Sequence, residues 1–597
     1  MKSKSKRRSL PKLVNASLAQ LTRAELVRLL QDAEVTYIFK HALVQDIVYA
    51  ALLKNDRQHL HRRVAQTLEF ESRNDLDANA ARLAQHYAAA GDDAKTLEFA
   101  KRAGDRAARV YALPEAVTYY TQALEIATRA RVLDTPLLIE LYRARGQALY
   151  SIALWQESWA NYEEMERVAM QHADRALELY MLVERALLRA LFSPLYDPAD
   201  AQNLAARALA LATELNERTV QAKLLWIQMI LHRTDEPQRA VADGEQSLAL
   251  AQELGLREQF AYTLTDLQYP YRSVGRTADA LRALEQARPL WRELGNQHMV
   301  ADNLNQTAFM HYASGELARG KELAQDALTL SQQTSNQFQA IASWMALGMI
   351  EVERGNIVSA LENFQPVQTD TNPLSRGWFA AQVAGIYAQL GVAARGIELL
   401  QATLPQLLET PLGKIFGGPL YGILARLQLA VGNLAEAERA FEPIASQYRA
   451  WNYSALGNGG EQATFAAAEL AMARGDNAHA QKILAELIAL LEQLELFLSL
   501  PEARLLQARA WIATCEWDKA FGSLVQARAE AERMGLVRVL WHIDAALMRV
   551  ERVRGNFEAA DEYRIRAREG IEYIVARVPQ EFRETFLNMA RVREVMA

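Results

Sequence analysis

Apolar residues run along this chain in helix-length blocks that recur with a long period. Each block ends at a turn, often at a glycine, and a small residue follows five positions later. The segments "ASGELARGKELAQDALTL", "VERGNIVSALENF", "LAVGNLAEAERAF", "AMARGDNAHAQKIL" and "RVRGNFEAADEY" carry the pattern most plainly, with turns at Gly315, Gly355, Gly432, Gly475 and Gly555. Gly275, Gly391 and Cys515 fill the gaps, and Asp235, Tyr196, Trp155 and Tyr111 extend the series upstream. Successive turns are 36 to 44 residues apart. Five positions on stand Ala116, Ala160, Ala201, Ala240, Ala280, Gly320, Ala360, Gly396, Ala437, Ala480, Ala520 and Ala560. Seven positions before the turn a second small site appears, at Ala308, Gly348, Ala384, Ala425, Ala468 and Ala508. Two antiparallel helices that cross closely need a residue without bulk on each side of the crossing. Larger residues nine after the turn, among them Phe364, Leu400, Phe441, Leu484 and Leu524, then fill the space toward the next pair. A glycine at the turn closes the first helix in a left-handed cap. One pair cannot bury its apolar face alone, so pairs stack. The pattern predicts an all-α superhelix of about twelve helix pairs over residues 93–570, with a period near 40 residues.

In such a stack the first helix of each pair lines the concave side, and positions 13, 10, 6 and 3 before the turn face it. For the turn at Gly275 these are Tyr262, Thr265, Tyr269 and Arg272; for Gly315 they are Asp302, Asn305, Phe309 and Tyr312. Both sets mix aromatic faces with polar groups, as an oriented binding site needs. The next repeats give a greasier, smaller lining: Ala342, Met345, Met349 and Val352, then Trp378, Ala381, Gly385 and Ala388. The contrast selects 262–312 as the candidate site for a protein or small-molecule ligand. Three stretches break the period and read as long loops, 369–379, 408–422 and 446–462.

Composition narrows the class. Half the residues are apolar and 23% are charged, so a large core is available. A net charge of −6 over 597 residues gives no reason to expect direct nucleic-acid contact. The single cysteine, Cys515, fits a reducing compartment, and the start "MKSKSKRRSLPKLVNASLAQL" is too interrupted for a secretory signal. The most apolar long stretch, 483–500, carries Glu486, Glu492 and Glu495 and reads as an amphipathic helix rather than a membrane span. A cytoplasmic protein is expected.

Catalytic chemistry is not legible. No HExxH, paired CxxC, EF-hand loop, Gly-x-Ser-x-Gly elbow or kinase signature occurs. His59 and His61, two apart, point to different faces of a helix. No enzyme activity, metal or cofactor is expected. The basic cluster Lys54, Arg57, His59, His61, Arg62 and Arg63 reads as a solvated face, with Leu60, Val64 and Leu68 buried behind it.

The repeat resembles the tetratricopeptide repeat (TPR), in its longer variety. "FKHALVQDIVYAALL" followed by "RQHLHRRVAQTLE" resembles the end of a winged-helix domain running into its first solenoid helix, as in the STAND signalling ATPases. That superfamily includes maltose-regulator-like activators and nucleotide cyclases with an ATPase and a TPR tail. The likeness continues through "ANAARLAQHYAAAGD" and "AKTLEFAKRAGDRAARVYALPEAVTYYTQALEIA", and returns at "QEFRETFLNMARVREVM". It implies a basic segment and partial winged helix at 1–34, the winged-helix end and linking helices at 35–92, a TPR-like solenoid at 93–570 and capping helices at 571–597. It also implies that His41 contacts the phosphates of bound ADP. The Gly-rich loop ending in Lys-Ser or Lys-Thr that such a nucleotide domain needs is not in this sequence. The ATPase would therefore be a separate partner. Three readings stay open: the sensor part of a STAND-type signal-transduction or transcriptional regulator, a free-standing TPR adaptor for a protein or peptide, and a regulatory subunit of a nucleotide cyclase.

Overall fold

The computed structural model describes residues 14, 16–30, 36–191, 193–410, 413–446 and 460–597. The chain forms two compact units, Met1–Met165 and Glu166–Ala597. Among the described residues, apart from one short hairpin the regular structure is helical, in consecutive antiparallel pairs.

In the first unit the strands Val27–Leu30 and Thr36–Phe39 pair antiparallel, Val27 opposite Phe39. The helices Ala42–Ala51, Lys54–Glu71, Ala80–Ala90, Asp93–Arg109, Leu113–Arg129 and Thr135–Ser151 follow. Polar contacts fix Lys54–Glu71 against its neighbours. Lys95 Nζ lies 2.8 Å from Glu69 Oε1, and the Tyr87 hydroxyl also donates to Glu69. Tyr49 Oη is 2.9 Å from His61 Nε2, whose Nδ1 is 2.9 Å from Nδ1 of His86. The apolar residues of this helix do not turn inward as the sequence suggested. Leu60 and Val64 are 46% and 45% exposed, and Ala65 is the buried residue. His61 and Glu69 turn toward the neighbouring helices instead, while Lys54, His59, Arg62 and Arg63 stay exposed and Leu68 is half-buried.

The second unit repeats one motif. Arg257–Ser273 pairs with Thr277–Glu293, Gln297–Ala313 with Leu317–Gln333, and Gln337–Glu353 with Ile357–Gln368. Further pairs are Pro373–Gln389 with Ala393–Leu408, Leu500–Ala513 with Trp517–Met534, and Val537–Arg554 with Phe557–Val575. The turn at Gly315 shows how a first helix stops. Glu316 N donates to His311 O at 2.7 Å and Gly315 N to Tyr312 O at 2.9 Å, with Gly315 at φ +79°. That is a Schellman closure, which puts the glycine in the left-handed region. Tyr111 and Cys515 adopt the same conformation, at φ 59° each.

The small residues lie where the helices cross. Ala116, Ala201, Ala240, Ala280, Ala360, Ala437, Ala480 and Ala520 are fully buried, and a Cβ on Gly320 or Gly396 would sit 3.1 Å from a backbone oxygen of the paired helix. One assignment shifts by two residues. The left-handed residue before Trp155–His172 is Ala153, at φ 61°, and Ser158 takes the buried position while Ala160 is exposed. Two expected loops also shorten. Pro373–Gln389 begins inside 369–379, with Asn372 capping Leu374 N at 2.9 Å, and Gly413–Ala430 begins inside 408–422. Proline at the first helical position and asparagine before it are helix-start signals. Most of 446–462 lies outside the described residues.

The stack in this unit coils until one turn of it rests on the next. A Cβ on Gly275 would lie 3.1 Å from Gln493 O, and one on Gly355 3.1 Å from Ile574 Cγ1. Gly315 sits against Met534, and Gly391 against Met589. Val358 N donates to Arg577 O at 2.9 Å. One apolar cluster accordingly joins Leu317 and Ile350 to Leu524, Met534 and Leu547.

Candidate ligand-binding site

The first helices of the pairs meet across the inner side of this coil. Arg538, at the start of Val537–Arg554, places its Nε 2.8 Å from Glu353 Oε2 at the end of Gln337–Glu353, and its Nη1 3.0 Å from Glu502 Oε2. Arg426 binds Glu469 at 2.9 Å and Glu502 at 2.7 Å. These residues form one lattice of alternating charge. Burial works to raise the Glu502 carboxyl, but Arg538 and Arg426 outweigh it and hold it at about 2. Among the described residues Glu461 has no cation within ion-pair distance, and burial, with Glu502 nearby, pushes it up to about 7. Tyr312 faces this lattice, and its phenol is raised by burial and then by Glu353.

The predicted groove residues separate into two groups. Tyr262, Tyr269 and Asp302 are half-buried on neighbouring first helices. Tyr262 packs edge-on to Trp291 at 4.7 Å and tilted to Trp226 at 5.7 Å, while the Arg233 guanidinium lies 5.5 Å over Tyr269. Asp302 accepts from Gln339 Nε2 at 2.9 Å, and burial raises its carboxyl. Burial likewise pushes Tyr269 up to about 12. Thr265, Asn305 and Arg272 lie deeper, bonded within the fold. Thr265 Oγ1 accepts from Trp291 Nε1 at 3.0 Å, Asn305 Nδ2 donates to Gln339 O at 3.0 Å, and Arg272 Nη1 donates to Gln268 Oε1 at 3.3 Å. Phe309 packs beside the core of the third and fourth pairs described above.

Sequence reasoning missed Asp266. It stands nine positions before the turn at Gly275, accepts from Trp226 Nε1 at 2.7 Å, and burial pushes its carboxyl up to about 6. The half-buried positions run 13, 9 and 6 before the turn, at 262, 266, 269 and again at 302, 306, 309. Spacings of three and four keep one face of a helix, so 13, 9, 6 is the stripe a 3.6-residue period allows. An acidic residue in that stripe was the available signal. Aromatic faces beside two carboxyl groups, both raised by burial, can accept a ligand carrying hydrogen-bond donors.

A separate cleft of about 600 Å3 lies among Lys321, Glu351, Asn356, Glu362 and Arg577. Its central charges are already paired, Lys321 Nζ lying 2.6 Å from Glu351 Oε1. Among the described residues no group of three or more His, Cys, Asp or Glu could hold a metal ion, and no helix is long and apolar enough to cross a membrane. His41 precedes Ala42–Ala51 as its N-cap, exposed, with no side-chain cap hydrogen bond.

No family model and no curated protein matches this chain. Among solved structures it is similar to a STAND protein with a tetratricopeptide-repeat sensor from Pyrococcus horikoshii, at 12% identity and TM-score 0.33, over 58% of this chain and 57% of that one. It is similar to the apo quorum sensor NprR from B. thuringiensis at 14% identity and TM-score 0.41, over 57% and 98% of the two chains. The APC/C hetero-tetramer Cut9–Hcn1 gives 16% identity and TM-score 0.40, over 94% and 99%. The class defined by the fold is an all-α helical-repeat protein of TPR-like architecture.

Proposed function

We propose that the chain is a non-enzymatic scaffold that binds a protein or small-molecule ligand on the inner side of its second unit, as the sensor part of a STAND-type signal-transduction or transcriptional regulator. The observation that carries the binding role is the convergence of Tyr262, Asp266, Tyr269 and Asp302 on neighbouring first helices, with both carboxyls raised by burial. The regulatory role draws support from the first unit. Helix Ala42–Ala51 has no buried residue, and Leu43, Ile47, Val48 and Tyr49 on it are exposed. A docked domain covers a surface of this kind. His41, exposed at the head of that helix, would meet a nucleotide phosphate carried by a P-loop ATPase supplied in trans.

Reconstitution tests this. A charge-assisted hydrogen bond to phosphate contributes about 1.5–3 kcal/mol, so His41→Ala should speed ADP release from the pair about ten- to hundredfold. The melting temperature of the chain should stay the same. An unchanged release rate with a lowered melt contradicts the nucleotide-contact role.

A further inference from the structure

Helix Ala42–Ala51 has no buried residue, and an extended link, Leu52 at ψ 137° and Leu53 at ψ 147°, joins it to Lys54–Glu71. Tyr49 makes the polar contact between the two helices. Its hydroxyl is 2.9 Å from His61 Nε2, its ring meets the His61 ring edge-on at 5.8 Å, and the Arg57 guanidinium lies 5.4 Å over it. His61 is fixed in turn from Ala80–Ala90. Its Nδ1 stands 2.9 Å from Nδ1 of His86, with the ring centroids 5.1 Å apart.

Two imidazole nitrogens at that distance share one hydrogen, so one donates and the other presents a lone pair. The pair therefore works with no added proton or with one. With two, both Nδ1 atoms carry hydrogen, the bond is gone and two cations face each other. Among the described residues no carboxylate lies within ion-pair distance of either ring. The charges on the elements around the pair are cationic, exposed or already engaged. Arg82 stands on the helix of His86, and Arg57 and Arg62 on that of His61, Arg62 donating to Ala90 O at 3.3 Å. Asp46 on Ala42–Ala51 is exposed. Glu69 is taken by Lys95 and Tyr87, and Asp77 lies 2.8 Å from Arg109 and 3.3 Å from Arg102. Burial, then His61 and Arg82, hold His86 below its ordinary 6.5.

We propose that Tyr49, His61 and His86 form a proton-operated latch, which keeps Ala42–Ala51 on Lys54–Glu71 at neutral pH and frees it when both imidazoles are charged. The freed state takes two protons near pH 6.5 and the latched state only one. The latch is therefore constant above that pH and weakens about tenfold per unit below it. Acid thus controls the position of the exposed face formed by Leu43, Ile47 and Val48. The latch does not depend on the groove at 262–312.

A ten-residue helix without buried side chains is not stable alone, so release shows as faster amide exchange. Hydrogen–deuterium exchange of the full chain, corrected for the intrinsic effect of pH, should give residues 42–51 about tenfold less protection near pH 5.5 than near pH 7.5. Ile357–Gln368, which contains no histidine, should keep its protection. In His86→Gln the amide oxygen accepts from a charged His61, so protection near pH 5.5 should stay within about twofold of that near pH 7.5. Tyr49→Phe should lower the protection of 42–51 at both. Equal protection at the two pH values in the parent, the same loss in His86→Gln, an equal loss in Ile357–Gln368, or a Tyr49→Phe chain protected like the parent would overturn the proposal.

Discussion

Single positions decide whether two helices can meet. Ala360 and Ala437 are fully buried at crossings, so Ala→Leu at either should overpack and cost about 1–3 kcal/mol in thermal or chemical denaturation. Ala160→Leu should be near neutral, because Ala160 is exposed and Ser158 occupies the crossing, its Oγ donating to Gly146 O at 2.9 Å. The small-residue rule was legible throughout the repeats. It slipped at Trp155 because an aromatic there matched Tyr111 and Tyr196, while the true turn residue is an alanine with no signature of its own. A second residue-scale test uses Glu461. Its carboxyl rises from the ordinary 4.5 to about 7 on folding, so the folded state holds the proton more tightly, and stability falls as pH rises from about 4.5 to about 7. Glu461→Gln should therefore match the parent near pH 4.5 and gain up to about 3 kcal/mol over it by pH 8. A constant difference across that range in paired melts would contradict the assigned shift.

Elements were read from caps and periodicity, and what failed was where proline and glycine begin helices rather than end them. "TNPLS" carries an asparagine cap and a first-turn proline, yet its local composition resembles a loop. The contacts between coil turns had no sequence signal at all. Gly315 and Gly432 look alike in sequence and share a left-handed backbone, at φ +79° and +81°. Nothing lies within 4 Å of a Cβ on Gly432, whereas Met534 occupies that space at Gly315. Gly432→Ala should cost about 1–2 kcal/mol for the backbone alone. Gly315→Ala should cost about 1–3 kcal/mol more, and Met534→Ala should reduce that excess in a double-mutant cycle. Additive behaviour would contradict the packing of Gly315 on Met534.

At the scale of the molecule, each unit is held by different means. The first fixes its early helices with His61, His86, Glu69 and Lys95 and leaves apolar side chains outside. The second closes its coil through Arg538, which bridges helices 185 residues apart in sequence. Arg538→Ala would leave Glu353 buried without its cation and Glu502 with Arg426 alone, and should cost about 3–5 kcal/mol by denaturant melt. The coil follows from a small rotation at each pair, summed over several repeats, and no local window of sequence contains that sum. The candidate groove was legible in its aromatic and acidic members, Tyr262, Tyr269 and Asp302. Thr265 and Asn305 stand ten before the turn, one residue off the half-buried position nine before it, which Asp266 occupies in the first of these helices.

The central claim is that the inner side of the second unit is where this protein binds. Photo-crosslinking tests it most directly, with a benzophenone side chain placed at Tyr269 and, as the outer control, at exposed Arg319. The account predicts a discrete adduct from position 269 that is absent from 319 and is lost when Tyr262→Ala and Asp266→Asn are introduced together. No adduct at 269, or the same adducts from both positions, would contradict it.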